Sequence, residues 1–398
     1  MDFRKGSIAV PEERKPGFET LCIHFAEDRE AHLGAAAPPI YQCSTFTYPD
    51  CEGFAGRHAP APGRYDYTRT SNPTTSLLER KIAALERGEA ARAFASGMAA
   101  VSAAILSCVR AGEHVVSIST VYGPTRRLLS DYLPRFGIET SYVRGTSVED
   151  FEQAARPNTR LFYLESPSSL LFELQDLAAV AALARSRGAA TICDNSNATP
   201  YLQNPLALGV DLVVHTATKY IGGHSDLVAG LVVGSAQRLT KLSALEGELL
   251  GAVADPFSSW LMLRGLRTLS LRMDRHQSSA GELARFLQGH RRVARVYYPG
   301  LDAHPQSALA KGQMRGQSGM LSFEPVGGRR SQAFQIVDAL RYFCIGVSWG
   351  GYESLAIPIQ VRAPQSGEKK WIIRLSVGLE SIADLTADLN QALVNRAT

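Results

Sequence analysis

Short apolar segments and helix-like segments alternate along the chain from Thr74 to His215, and this alternation limits the fold more than any other feature. The apolar segments have the length and β-branched content of strands, and they cover residues 91–95, 114–119, 139–143, 160–165, 191–194 and 211–215. Helical periodicity separates most of them, at residues 74–87, 97–110, 124–136 and 177–186. Residues 229–233 are a candidate for one more strand, antiparallel to the others. Such alternation predicts an α/β fold with a mostly parallel sheet sandwiched by helices.

The pattern changes after Asp255-Pro256. Residues 257–287 repeat apolar side chains near the helical period and predict one long helix. Beyond it we expect strands and helices of a second unit, at residues 293–297, 320–324, 331–340, 371–376 and 382–394. A chain of 398 residues exceeds the usual length of one domain. The sequence therefore predicts an α/β domain over residues 74–255 and a smaller α/β domain over residues 256–398.

Residues 1–73 are rich in Pro, Gly, Ala and Tyr and contain few periodic segments. The stretch PGRYDYTRTSNPT, residues 62–74, has the composition of a loop. A long irregular segment is uncommon inside one compact unit. A flexible leader is the ordinary alternative, but the tyrosines and Arg69 at its end disfavour it. We expect an arm that is functional or packs on a neighbouring subunit.

Composition narrows the classes of function. The formal net charge is +4 and the arginines are scattered, which disfavours a nucleic-acid partner. No run reaches the roughly 18 apolar residues of a membrane helix, and residues 1–15 are charged throughout, without the apolar region of a signal peptide. The six cysteines show neither a CxxC motif nor a metal-ligand spacing, which predicts reduced thiols and no metal site. We expect a cytoplasmic protein with no membrane segment.

The stretch DLVVHTATKYIGGHS, residues 211–225, places a lysine just after a predicted buried strand. Hydroxyl residues and the Gly222-Gly223 pair surround this Lys219, which is not the usual setting of a surface lysine. Its amine is expected at the carboxyl edge of the sheet, where α/β proteins bind ligands. Our hypothesis is that Lys219 is an imine-forming lysine.

Asp194 ends another predicted strand, in the segment ATICDNSNATPY, and is expected at the same edge. A carboxylate that is buried there needs a cationic partner, because an isolated buried charge is costly. A protonated pyridine nitrogen would serve. The ordinary alternative is a helix or turn cap, since Asp-Asn is common in turns. From this residue alone, both interpretations stay open.

Several groups are suited to hold a phosphate. Ala95-Ser96-Gly97-Met98 joins a strand to a helix, and such a junction exposes backbone N–H groups to an anion. Hydroxyl or cationic donors are also available at Thr216, Thr218, Tyr67 and Arg69. Each signal is weak alone, because a Ser-Gly pair before a helix is more often an N-cap.

Tyr122, in STVYGPT, follows a further strand and would place an aromatic ring at the same edge, although a lone tyrosine is usually a packing residue. A lysine amine, a carboxylate, a phosphate cradle and a stacking ring together are what pyridoxal phosphate requires. This combination is more specific than any member of it, and pyridoxal 5'-phosphate is the predicted cofactor.

The same residues carry a resemblance to a known family. DLVVHTATKYIGGHS resembles the signature of the cysteine/methionine-metabolism family of pyridoxal-phosphate enzymes, and further segments follow in the family's order across nearly the whole chain: YDYTRTSNPT, ASGMAA, VYGPT, ESPSS, DNSNATP, SWGGYESL and RLSVGLE. The resemblance implies the aspartate-aminotransferase-like, type I fold. It also implies a homo-oligomer, at least a dimer and usually a tetramer.

The resemblance assigns roles to individual residues. It implies that Lys219 attaches the cofactor, that Asp194 pairs with its ring nitrogen and that Tyr122 stacks on its ring. The phosphate would be held by Gly97, Met98, Thr216 and Thr218, with Tyr67 and Arg69 donated by a neighbouring subunit. The substrate would be bound by Arg374 through its α-carboxylate, with Ser348, Trp349 and Tyr67 nearby.

The family includes β-elimination, γ-elimination and γ-replacement, so the fold leaves the reaction open. SWGGYESL, with Trp349, resembles the bacterial cystathionine β-lyase form, and Val347 stands where γ-enzymes typically have glutamate. We therefore expect a carbon–sulfur lyase that cleaves L-cystathionine or a related cysteine S-conjugate. Lys219 would act as the general base, and Tyr122, as a phenolate, would take a proton from the substrate amine.

Two departures keep other reactions open. Asn197 stands where an aromatic or aliphatic residue is common, and Ser376 replaces a histidine expected in some β-lyases. A γ-elimination or γ-replacement enzyme is the alternative, with 2-oxobutyrate as the diagnostic product of γ-elimination. A cofactor-free binding protein of the same fold is a remote alternative, disfavoured by the joint presence of Lys219, Asp194 and Arg374.

Overall fold

The computed structural model describes residues 16–58, 63–362 and 367–394, and these form two sheets with their covering helices. The charged segment 1–15, on which the expectation about a signal peptide rests, lies outside the described residues. No helix in the described part of the chain is long and apolar enough to cross a membrane. All six cysteines are free.

The first sheet has seven strands in the order β1-β7-β6-β5-β4-β2-β3. They are β1 Ala90–Phe94, β2 His114–Ile118, β3 Glu139–Val143, β4 Thr159–Glu165, β5 Ala190–Asp194, β6 Leu212–His215 and β7 Gly230–Gly234. β7 pairs antiparallel with both β1 and β6, whereas β2 to β6 pair in parallel. The predicted strands are present within one or two residues, and the mostly parallel α/β fold is confirmed.

Helices cover both faces of this sheet and carry much of the core. Those before residue 255 are α1 Phe18–His24, α2 Cys51–Ala55, α3 Pro73–Leu85, α4 Gly97–Cys108, α5 Gly123–Arg127, α6 Val148–Ala154, α7 Leu177–Ser186, α8 Thr199–Leu202 and α9 Ala236–Leu242. In four of the parallel strands, every residue or all but one is buried: β2, β4, β5 and β6. This is expected of parallel strands with helices on both faces of the sheet.

The predicted helix at residues 124–136 is not one regular helix. α5 continues as a π turn at Leu128–Tyr132 and a 3₁₀ turn at Leu133–Phe136. Pro134 lacks the N–H that would donate to the carbonyl four residues earlier, so the regular α-helical ladder cannot pass through it. The segment ends at Gly137, which has a left-handed φ of 70°.

The second sheet has five strands in the order β10-β11-β12-β9-β8. Its elements and the helices around it are α10 Pro256–Leu266, α11 Leu269–Gln288, β8 Val293–Tyr297, α12 Ser307–Gln313, β9 Met320–Pro325, α13 Arg330–Asp338, β10 Cys344–Ile345, β11 Leu355–Arg362, β12 Lys369–Ser376 and α14 Ile382–Val394. β11, which contains Pro358, was not among the predicted strands. β10 pairs with Leu355 and Ala356 alone, so Pro358 has a strand partner on the β12 side only, opposite Ile373.

The expectation of one helix over residues 257–287 is wrong. The segment forms α10 and α11, with the break at Arg267 and Thr268. In a continuous helix the Gly265 carbonyl would accept from the backbone N–H four residues later. Here it accepts instead from Thr268 N at 3.2 Å and from Arg272 Nη2 at 2.8 Å. A Cβ at Gly265 would lie 2.2 Å from the Ile221 carbonyl oxygen, so α10 approaches the segment after Lys219 closely.

Candidate active site

A cavity of about 250 Å³ lies at the carboxyl ends of β4, β5 and β6 and is bounded on its far side by the second sheet. This is the edge at which open α/β sheets bind ligands. The predicted site residues that line it are Gly97, Met98, Tyr122, Asp194, Thr216, Thr218, Lys219, Trp349 and Arg374. The fold therefore gathers residues that are up to 277 positions apart in the chain into one cavity.

Lys219 lies in a turn just after β6, where its N–H donates to the Thr216 carbonyl at 3.1 Å. Its Nζ donates to Ser348 Oγ at 2.8 Å and lies 5.3 Å from the centre of the Trp349 ring. Burial, with the nearby Arg374 cation, lowers the pKa of Lys219 to about 8. A lysine whose pKa is close to neutral keeps a useful fraction of nucleophilic amine, as an imine-forming or basic lysine requires.

Asp194 is the last residue of β5 and is buried. Its Oδ1 accepts from the Ser196 N–H at 3.0 Å and from Ser196 Oγ at 2.6 Å, so it does make the local turn that is the ordinary role of such a residue. Burial raises the pKa of Asp194, partly offset by these hydrogen bonds. In the described part of the chain no lysine or arginine pairs with it. A buried carboxylate with no protein cation is suited to a cationic ligand atom.

The first turn of α4 provides an anion site. Ser96 Oγ caps the helix by accepting from Ala99 N at 3.0 Å, which leaves the N–H groups of Gly97 and Met98 without intrahelical acceptors. A Cβ at Gly97 would lie 2.3 Å from Thr216 Oγ1, so glycine allows the Thr216 hydroxyl to approach the start of the helix. The Thr218 hydroxyl instead donates to the Ala229 carbonyl at 3.2 Å.

Tyr122 precedes α5 and contributes its ring to the cavity wall, with 44% of the residue exposed. Its N–H donates to Glu165 Oε2 at 2.8 Å, while Ser169 Oγ donates to Glu165 Oε1 at 2.5 Å. Burial raises the pKa of the Tyr122 phenol, with further increases from Asp194 and Glu165. The tyrosine is therefore a protonated phenol at neutral pH in this setting.

Arg374 lies in β12 and reaches the cavity from the second sheet. Its Nη2 donates to the carbonyls of Val347 at 2.8 Å and Ser348 at 3.0 Å. Its Nε is buried and has no hydrogen-bond partner among the described residues. Burial lowers the pKa of Arg374 to about 10, which still leaves the guanidinium charged at neutral pH. A fixed guanidinium with an unused N–H is suited to a carboxylate.

Tyr67 and Arg69, which were predicted to hold the phosphate, do not line this cavity. Tyr67 is 44% exposed, and the Arg69 guanidinium lies 5.4 Å from the centre of its ring. The Arg69 carbonyl accepts from Arg92 Nη2 at 2.7 Å, which fixes this end of the arm against β1.

Comparison with known proteins settles the family. A profile described as Cys/Met metabolism PLP-dependent enzyme matches residues 19–394. The chain belongs to this family. The resemblance seen in the sequence is confirmed, and pyridoxal phosphate is the cofactor.

Relatives with different reactions have similar degrees of identity to this chain. L-methionine gamma-lyase of Pseudomonas putida is 43% identical over 95% of this chain and 97% of its own, and cystathionine gamma-lyase of Bacillus subtilis is 42% identical over 95% and 99%. Cystathionine beta-lyase of Lactococcus lactis is 40% identical over 94% and 98%. The crystal structure of metB from Corynebacterium glutamicum superposes with a TM-score of 0.88 at 36% identity, over 95% and 98%.

The cavity of this family member fits its cofactor by the chemistry of the donors. The N–H groups of Gly97 and Met98 suit a phosphate, the amine of Lys219 suits a carbonyl carbon, and the buried Asp194 carboxylate suits a protonated ring nitrogen. These groups surround one cavity, so a single molecule can meet all of them.

Sequence reasoning missed Glu165, which lines this site. It ends β4 and is the strand neighbour of Asp194 at the end of β5, so both carboxylates lie at one edge. It fixes the backbone of Tyr122 and the side chain of Ser169. Its position as the last residue of a predicted strand was the available signal. Ser196, which holds Asp194 and also accepts from Thr216 N at 2.6 Å, had no such signal.

Proposed function

We propose that the protein catalyses β-elimination from L-cystathionine or a related cysteine S-conjugate, which releases a thiol, pyruvate and ammonia. The observation that carries this proposal is the Trp349 ring beside the Lys219 amine, 5.3 Å from ring centre to Nζ. Nζ also donates to Ser348 Oγ, so the amine is confined to a small range of positions. Such an amine suits removal of one α-proton better than successive proton transfers at neighbouring carbons, which γ-chemistry requires.

Lys219 is the proposed base. Pyridoxal phosphate, when bound, supplies an electron sink for the substrate α-carbon. Lys219 then takes the α-proton, because its pKa of about 8 keeps part of the amine neutral at physiological pH. Ser348 Oγ, as acceptor of the 2.8 Å bond, directs the nitrogen lone pair.

Arg374 is the proposed carboxylate site. Two bonds from Nη2 to the Val347 and Ser348 carbonyls hold the guanidinium in place at the cavity wall, where its charge faces the substrate. Binding the carboxylate at a fixed point orients the bonds around the α-carbon toward Lys219. The same two carbonyls belong to the segment that carries Trp349, so substrate binding and the position of that ring are linked.

Tyr122 is the proposed acid. Because burial raises its pKa, the phenol keeps its proton and can give it to the departing thiolate sulfur. This revises the expectation that Tyr122 acts as a phenolate. The Glu165 carboxylate accepts from the Tyr122 N–H and so holds the backbone of Tyr122 at the cavity edge.

We also propose that the site is completed by another subunit. The support is the exclusion of Tyr67 and Arg69 from their own cavity, although the resemblance gives both a place at the cofactor phosphate. The irregular arm would thus serve a homo-oligomer in which each subunit donates these two side chains to its neighbour.

γ-Elimination is the second candidate, favoured by the methionine gamma-lyase and cystathionine gamma-lyase relatives at 43% and 42% identity. Keto-acid analysis separates the two. Cleavage of the Cβ–S bond of L-cystathionine leaves three-carbon pyruvate, whereas cleavage of the Cγ–S bond leaves four-carbon 2-oxobutyrate. We expect pyruvate to dominate and L-methionine, which has no Cβ–S bond, to release no methanethiol. Dominant 2-oxobutyrate would reject β-elimination in favour of the second candidate.

A further inference from the structure

A second cavity, of about 440 Å³, lies between β8 and the loops that follow β3 and β4. Its volume is within the usual range of small-molecule sites. Among its lining residues are Arg144, Leu171, Glu173, Arg295, Tyr297 and His304. None of these lines the catalytic cavity, so the two cavities have different lining residues.

Arg295 gives this cavity an unused positive charge. In the described residues no carboxylate pairs with its guanidinium, which lies 5.1 Å from the centre of the Tyr297 ring. Its cross-strand neighbour Glu324 is already taken by Lys370 Nζ at 2.9 Å. The guanidinium is therefore available to a ligand.

The other charged groups of the cavity neutralise each other. Glu173 Oε1 accepts from Arg144 Nε at 3.1 Å and Nη2 at 2.7 Å. Burial lowers the pKa of His304 to about 4, so its imidazole is neutral at pH 7. Its Nδ1 accepts from Gln306 N at 3.2 Å, which leaves the ring proton on Nε2 as a donor. The charge left over at the cavity is that of Arg295, and it favours an anion.

The wall between the two cavities is the loop of residues 166–175. Ser169, Leu170 and Phe172 face the catalytic cavity, whereas Leu171 and Glu173 face the second one. Leu170 and Phe172 have left-handed φ values of 70° and 53°, which are strained for bulky side chains. A strained loop shared by two cavities can carry a conformational change from one to the other.

Gln306 connects the second cavity to this loop directly. Its Oε1 accepts from Leu174 N at 2.9 Å, and its Nε2 donates to the Leu174 carbonyl at 2.7 Å. The backbone N–H of Gln306 also donates to His304 Nδ1. A ligand that moves the His304 ring therefore acts on the residue that holds the loop.

We propose that the second cavity binds a small organic carboxylate through Arg295 and His304, and that its occupancy changes substrate binding through the loop of residues 166–175. The site lies on the face of the loop opposite to the catalytic cavity. It does not depend on which carbon–sulfur bond the enzyme breaks.

Binding is tested by calorimetry of the holoenzyme with succinate as the probe. All samples carry Arg374→Gln, so that the catalytic cavity has lost its own carboxylate-binding cation. We expect saturable binding that weakens at least about tenfold on adding Arg295→Gln, the loss of one charge-assisted contact. The exposed Arg291, which does not line this cavity, gives the matched control Arg291→Gln, with unchanged binding. Absent binding, or equal binding with and without Arg295, would overturn the site.

The link to catalysis is tested with Gln306→Leu, which removes both bonds to Leu174 and leaves Arg295 in place. In the wild-type enzyme, succinate should shift KM both by competing at Arg374 and by occupying the second cavity. The Arg295→Gln enzyme shows the competition alone. The KM shift of the wild-type enzyme should exceed that of Arg295→Gln by roughly fivefold or more. Gln306→Leu should still bind succinate but lose this extra shift, with its melting temperature recorded to show that it is folded. A Gln306→Leu enzyme that keeps the extra shift, or a wild-type enzyme that shows none, would refute the coupling.

Discussion

Lys219 Nζ donates a 2.8 Å hydrogen bond to Ser348 Oγ, and this bond crosses the cavity from the first sheet to the second. Lys219 follows β6, whereas Ser348 lies between β10 and β11. Arg374, in β12, donates from Nη2 to the Ser348 carbonyl at 3.0 Å. The direction of the lysine amine therefore depends on how the second sheet is placed against the first. Arg374, the proposed carboxylate site, also holds Ser348, the partner of the proposed base.

The covalent attachment of pyridoxal phosphate to the apoprotein should speed up with pH and level off above about 8. Attachment needs the neutral amine, and the pKa of Lys219 is lowered to about 8. Below that pH the rate should fall about tenfold per pH unit. With an ordinary lysine, whose pKa is near 10.4, the rate would instead keep rising up to that higher pH. Stopped-flow absorbance gives the profile, and Lys219→Ala should remove the signal. A midpoint near 10 would contradict the lowered pKa.

Arg374→Gln should lower kcat/KM by at least about 30-fold, or about 2 kcal/mol, because a buried cation that meets the substrate carboxylate is lost. The effect should fall mainly on KM. Arg374→Lys should recover only part of it, since an ammonium cannot make the bidentate contact. Arg362→Gln is the control: Arg362 is exposed at the far end of the neighbouring β11, and its loss should leave both constants unchanged. Equal effects at positions 374 and 362 would refute the carboxylate site.

The first sheet and the cofactor end of the site were predictable because their signals are local. Lys219 and Asp194 each end or follow a run of apolar residues, and the carboxyl ends of parallel strands meet at one edge. The strands were therefore enough to bring the two residues together. The break between α10 and α11 was not predictable, because it depends on Arg272 and on the close approach of Gly265 to Ile221.

The far side of the site was less predictable from local patterns. Ser348 and Trp349 lie between β10, a strand of two residues, and β11, which contains Pro358, so periodicity does not locate them. Their place beside Lys219 follows from the packing of one sheet against the other. Resemblance to the family pointed to them, but the hydrogen bond to Lys219 required the structure.

Trp349→Leu should raise the share of 2-oxobutyrate from L-cystathionine. A smaller side chain frees space beside Nζ, which is now 5.3 Å from the ring centre, and the amine can then reach more than one substrate carbon. Trp349→Phe keeps an aromatic wall and is the matched variant, with a product ratio close to wild type. The two keto acids are quantified by chromatography after derivatisation. If both variants give the wild-type ratio, Trp349 does not select the bond that breaks.

Lys81→Met should destabilise the protein by about 3 kcal/mol, although Lys81 is far from the catalytic cavity. Its side chain is fully buried, and Nζ donates to Glu27 Oε1 at 2.7 Å and to the Cys22 carbonyl at 2.8 Å, which ties α1 to α3. Removing one partner of a buried pair costs about 3–5 kcal/mol, and the lower end applies because Arg267 still meets Glu27 Oε1 at 3.0 Å. Lys311→Met breaks an exposed pair with Asp302 and should cost less than about 1 kcal/mol. Urea unfolding of both variants gives the comparison, and equal losses would show that burial does not set the strength of the Lys81 pair.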